Sequence, residues 1–271
     1  MHNRPLLRRL AGLALLALAA PAALAQAQID QGKVNAGNVT PGDAPGFPLT
    51  ISVPGSYKLT SNLVVPSGTP GIQITAAGVT LDLNGFGVRS TNTCVHDPFF
   101  KRFHCAESPL AGASGIVMSG AAKRGPISIR SGFVEGFRGD GIQGGTARLR
   151  DLSVQHNVGF GIHMAGVNGA IGGAQIVDVE VALNGDTGLQ ATNALISRIV
   201  ARENGADGVI MLGVSALHES LASWNLRCGV RGQRELGGGV RGVVSGPVYG
   251  VRCPIIDANT MGGNLRHVTP F

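Results

Sequence analysis

The sequence predicts an all-β chain wound as a right-handed parallel β-helix, a single-stranded solenoid of about eight coils. Three observations predict it. A glycine followed by an aliphatic residue recurs at near-constant spacing, an asparagine stands four residues before several of those glycines, and apolar residues alternate with polar ones over short runs. Helical spacing is not sustained anywhere after residue 25.

The recurrence is clearest in the second half. VQHNVGFGIH (154–163), VALNGDTGLQ (181–190), ARENGADGVI (201–210) and ASWNLRCGVR (222–231) align without gaps. The same step can be followed through Gly87-Val88, Gly115-Ile116, Gly141-Ile142, Gly161-Ile162, Gly188-Leu189, Gly208-Val209, Gly229-Val230 and Gly250-Val251, at spacings of 28, 26, 20, 27, 20, 21 and 21. A floor near 20 with occasional gains is what coils of fixed girth with loop insertions produce.

Inside a coil, Leu152-Ser153-Val154, Val179-Glu180-Val181 and Ile127-Ser128-Ile129 carry the period-two pattern of a strand with one buried face. Asn-Gly, Asp-Gly and single Asn residues between the runs are expected to turn the chain, since Gly has no Cβ penalty at positive φ and Asn tolerates that region. Stacked coils repeat about every 4.8 Å. Ile142, Ile162, Leu189, Val209, Val230 and Val251 then form one interior ladder. Val134, Val154, Val181, Ala201, Ala222 and Val243 form a second. Asn157, Asn184, Asn204 and Asn225 form a corner column, read as turn geometry with amides bonded along the axis rather than as a ligand-facing edge.

Residues 1–25 stand apart: Arg4, Arg8 and Arg9 precede an apolar run from Leu10 to Leu24, with small-residue sites at Ala23-Leu24-Ala25 and Ala25-Gln26-Ala27. That order marks a secretory signal, so the chain is expected to be exported to the periplasm or the cell exterior. No later stretch is apolar for 18 residues, and no stable membrane insertion is expected. Without the three signal arginines and with no acid removed, the formal charge falls from +6 to +3. Only 4% of residues are aromatic and the arginines are dispersed, which argues against a nucleic-acid surface. The expected organisation is a signal (1–25), a lead-in and cap (26–50), the β-helix (51–260) and a C-terminal tail (261–271).

Four cysteines, Cys94, Cys105, Cys228 and Cys253, suit an oxidising compartment and two disulfides. Sequence order suggests Cys94 with Cys105 and Cys228 with Cys253, although three connectivities are possible. A zinc site is the competing reading, but no CxxC occurs.

Residues 54–88, PGSYKLTSNLVVPSGTPGIQITAAGVTLDLNGFGV, and above all Gly78-Val79-Thr80-Leu81-Asp82-Leu83-Asn84-Gly85, resemble the opening of bacterial right-handed parallel β-helix proteins of the pectate-lyase-like superfamily. The later NxxxG units resemble its repeat, over roughly residues 50–255. The resemblance implies the fold and leaves the activity open, because the superfamily holds lyases, hydrolases, epimerases and adhesins. The WxDH and RxPxxR patterns of its lyases are absent, as are the NTD, DD and GHG patterns of its hydrolases.

What remains is a polar face. Asp151, Asp178, Glu180 and Arg202 are the candidate catalytic residues, and Arg150, His163 and Arg198 the candidate substrate-binding ones, with charge pairing between coils as the competing use. Asp82 reads as a turn cap. Phe99, Phe100 and Phe103 tuck a disulfide-pinned loop against the coils or form a lip for sugar. Trp224 is expected to be buried against the neighbouring coil, with sugar stacking as the alternative. No metal site or cofactor is evident, and no closely spaced acidic loop supports calcium. The expected partner is polysaccharide or an envelope component presented with a long flat face. The alternative is a lyase or hydrolase acting on an acidic glycan.

Overall fold

In a computed structural model the chain is described over residues 26–92, 94–97, 102–105, 112–165 and 173–233, and in the short strands Val243–Ser245, Val248–Tyr249 and Leu265–Arg266. The expected signal at 1–25 lies outside the described residues. Among the described residues all strands but those of one hairpin pair in parallel, in two sheets running the length of a solenoid. The second sheet takes one short strand per coil, from Leu49–Ile51 to Val230–Gln233, so eight strands are stacked in about seven turns.

The alternating runs became strands because their apolar members share one interior. Ile72, Ile116, Ile142, Ile162, Leu189, Val209 and Val230 are in register down the second sheet, and all are buried. The first expected ladder therefore stands from Ile142 to Val230, Val251 lying outside the described residues, but the Gly87-Val88 step does not lead into it. Val88 sits opposite Val134 in the first sheet, and the coil's true second-sheet member is Ile72, after Gly71. Gly87 is a glycine for a different reason: a Cβ there would lie 2.0 Å from the Phe133 ring. The second ladder holds as Val134, Val154, Val181, Ala201 and Ala222, but Val243 pairs with Ala216 instead.

The first sheet's strands Arg148–Gln155, Gln175–Ala182 and Leu195–Arg202 each contain a corner. The corner residue is left-handed: Ser131, Asp151, Asp178, Arg198 and Glu219 succeed one another with φ from 44° to 60°. A second left-handed column closes each coil, at His156, Leu183, Glu203 and Trp224. The asparagines expected to turn the chain stand one residue later and do something else.

Asn184 is buried and uses every valence of its amide. Its Nδ2 donates to Asn204 Oδ1 (3.0 Å) and to the Val154 carbonyl (3.1 Å). Its Oδ1 accepts from Asn157 Nδ2 (3.0 Å) and the Asn157 backbone N–H (3.2 Å). Asn157 and Asn204 continue the ladder to Asn225. The recurring glycines fit under it: a Cβ on Gly161 would come within 2.6 Å of both Asn184 Nδ2 and the Gly188 carbonyl. The NxxxG pattern is thus a packing unit between coils.

At the N-terminal end, Ala27–Ile29 joins the first sheet beside Tyr57–Leu59. The helix Gln31–Ala36 follows, capped by the Asp30 carboxylate accepting from Lys33 N–H at 2.8 Å, with Val34 buried in the core. Strand Leu49–Ile51 straddles the boundary expected at residue 50, and Leu265–Arg266, inside the segment read as a tail, pairs with Val248–Tyr249. The exception to parallel pairing is the hairpin Cys94–Asp97 with Arg102–Cys105, which sets Cys94 opposite Cys105. Cys228 is buried and carries no free thiol, while Cys253 lies outside the described residues, as do Phe99 and Phe100.

Candidate functional site

Register decides which of the candidate polar residues meet. Asp151, Asp178 and Arg198 occupy the left-handed corner column of the first sheet, and Glu180 and Arg202 the strand half that follows. Here Arg198 grips Asp178 with two bonds, Nε to Oδ1 at 2.5 Å and a terminal nitrogen to Oδ2 at 2.7 Å. Arg202 bonds Glu180 at 2.8 Å and Glu203 at 3.0 Å, and Arg150 bonds Asp151 at 2.9 Å. Asp82, read as a turn cap, accepts from Asn84 N–H and also pairs with Arg130.

The electrostatics follow from the pairing. The hydrogen bond from Arg198, aided by its charge, lowers the Asp178 pKa, and the same bond raises that of Arg198. Burial works against the charged form of Arg202, but Glu180 and Glu203 outweigh it and raise its pKa. A general acid needs the opposite shift, toward a carboxyl that is protonated at working pH. These residues neutralise one another, Asp178 with Arg198 and Glu180 with Arg202 between coils, and Arg150 with Asp151 and Arg202 with Glu203 within one.

His163 does not share that face. It lies on strand Ile162–Met164 of the second sheet, where outward positions run Gln73, Val117, Gln143, His163, Gln190, Ile210 and Arg231. Asp140 Oδ2 lies 3.2 Å from His163 Nδ1, and Gln190 Nε2 lies 3.3 Å from Nε2. Phe160 stacks on the imidazole with ring centroids 4.6 Å apart and planes at 29°. Asp140 Oδ1 in turn accepts from the Phe160 N–H at 3.0 Å, which fixes both rings against one carboxylate. Beside them Gln143 is exposed.

Asp140, Gln143, Phe160 and Gln190 were missed by sequence reasoning, which counted acids and bases and gave no weight to amides. A signal existed: Gln143, His163 and Gln190 each stand one residue past the glycine-aliphatic step. Trp224 overturns its expectation. It is 66% exposed because it occupies the left-handed corner, where the side chain projects from the coil.

A second feature was not anticipated. Where the chain leaves the second sheet and enters the first, a groove of about 1040 Å³ runs along the axis past Thr80, Ser128, Arg148, Gln175 and Leu195, which are successive in register. Its floor is low because the adjoining inward column changes from Val79 and Ile127 to Ala147, Ala174 and Ala194. Among the described residues no group of three or more His, Cys, Asp or Glu side chains could hold a metal ion, and no helix is long and apolar enough to cross a membrane.

No family model matches the chain, and no curated protein matches it. Among solved structures, the crystal structure of the Dettilon tailspike protein (gp208) is similar in fold, with a TM-score of 0.53 at 14% identity. The similarity covers 74% of this chain and 42% of the tailspike, so the chain spans less than half of that protein's length.

Proposed function

We propose that the protein is an exported β-helix module that binds carbohydrate on the outer face of its second sheet. The observation that carries this reading is the Phe160–His163 stack ringed by Asp140, Gln143 and Gln190. A sugar is amphipathic, with a C–H face that packs on flat rings and hydroxyls that need planar donors and acceptors. The patch offers both within three successive coils. The flat parallel sheet extends it in both directions, with Gln73 on one side and Arg231 on the other, which suits a chain of sugars rather than a single one. Residues 1–25 supply the export signal. Pairing of Cys94 with Cys105, and of Cys228 with Cys253, belongs to the same oxidising setting.

The test is a titration of the purified protein with neutral and uronate-containing glycans, recording bound sugar, unsaturated products and new reducing ends. Binding without products, weakened about tenfold by Phe160→Ala, is the expected result; the loss is the size of one stacking contact. Products would move the protein to the lyase or hydrolase reading. An absence of binding to every glycan would remove the carbohydrate reading altogether.

A further inference from the structure

The corner groove is a different site from the His163 patch, since it follows the strands of the second sheet rather than lying on them. Its two ends differ in chemistry. Toward the N-terminal coils stand Arg124 and Arg148, both exposed, neither with an ion-pair partner among the described residues. Every other arginine described in the first-sheet strands Ile127–Glu135, Arg148–Gln155 and Leu195–Arg202 is matched to a carboxylate. Among the described residues no acidic side chain lines the groove. Toward the C-terminal coils stand Leu195 and Val214, 61% and 62% exposed, over the low floor at Ala174.

Two coils separate Arg148 from Leu195 in register, roughly 10 Å along the axis. An apolar-lined groove with a few polar groups at one end is the form of a small-molecule site, where the polar groups set orientation. A glycan fits it poorly. Hydroxyls laid against Leu195, Val214 and Ala174 would lose water without gaining partners.

We propose that the groove binds a single-chain anionic amphiphile of the fatty-acid type, its head on Arg124 and Arg148 and its alkyl chain running past Gln175 to Leu195 and Val214. Guanidinium groups favour a carboxylate head through charge-assisted, two-pronged hydrogen bonds. The alkyl chain gains by leaving water, and it covers two aliphatic side chains that otherwise stay wet.

Calorimetric titration with monomeric decanoate tests this, alongside butanoate, decylamine and phosphatidylglycerol vesicles. Decanoate binds, and each methylene between butanoate and decanoate tightens binding by about fourfold where the chain is fully covered. Decylamine and vesicles do not bind. Arg148→Ala weakens decanoate by about tenfold, and the double variant Leu195→Ser with Val214→Ser flattens the chain-length dependence. All three positions are exposed, and the chain-length series on the unaltered protein decides the matter even if a variant misfolds. Equal affinity for butanoate and decanoate, binding of decylamine as tight as decanoate, binding to vesicles alone, or no heat with decanoate would each overturn the proposal. Glycan binding at the His163 patch is unaffected by either result.

Discussion

Two corners of the same coil follow opposite rules. Both hold a left-handed residue in every turn, at Asp151, Asp178 and Arg198 on one side and at His156, Leu183 and Glu203 on the other. Beside the second corner the chain places the same residue each time, Asn157, Asn184, Asn204 and Asn225, because that position faces the interior and must bond in all directions. At the first, exposed corner the residue type changes from Asp to Arg to Glu. Repetition of residue type therefore marks burial, and the backbone turn itself leaves little trace in the sequence.

The buried corner is the costlier of the two to disturb. Asn184→Ala leaves the Asn157 backbone N–H and one Asn157 amide N–H without their acceptor, removes a donor from the Val154 carbonyl and opens a cavity, for a loss of about 4 kcal/mol in chemical denaturation. Leu189→Ala, in the aliphatic ladder beside it, costs about 3 kcal/mol by the same measurement. Gly161→Ala comes next, at about 2 kcal/mol, because its methyl would meet the Asn184 amide and the Gly188 carbonyl.

The exposed corner gives the smallest effect. Asp178→Asn should leave stability at neutral pH almost unchanged, since exposed ion pairs contribute little. Its signature is in acid. Arg198 depresses the Asp178 pKa in the folded protein, so the pair's contribution is present above the unfolded carboxylate value of about 3.9 and is lost as pH falls through the lower folded value. Stability curves of the original protein and the variant should differ slightly above that window and merge below it.

The same contrast explains how far the sequence could be read. Coil girth, both aliphatic ladders and the asparagine ladder were legible because each rests on a buried column that tolerates few residue types. The Gly87-Val88 step misled because a glycine beneath Phe133 and a glycine beneath an asparagine look alike in one dimension. Trp224 misled because a large aromatic suggests burial, whereas the corner geometry turns it outward. Glu180 does meet Arg202, while Asp178 pairs with Arg198 at the corner, and His163 was assigned to their face although it belongs to the other sheet. The groove was illegible since nothing in the repeat singles out the small inward residues Ala147 and Ala174 that lower its floor.

On the proposed reading, buried columns hold the solenoid while variable outward positions bind glycan. The most direct test is the double variant Gln143→Ala with Gln190→Ala, measured for both thermal stability and affinity for the glycan that the original protein binds. The double variant should keep a Tm within about 2 °C of the original, as expected for outward side chains, and lose affinity by about tenfold or more. Unchanged affinity at unchanged Tm would contradict that reading.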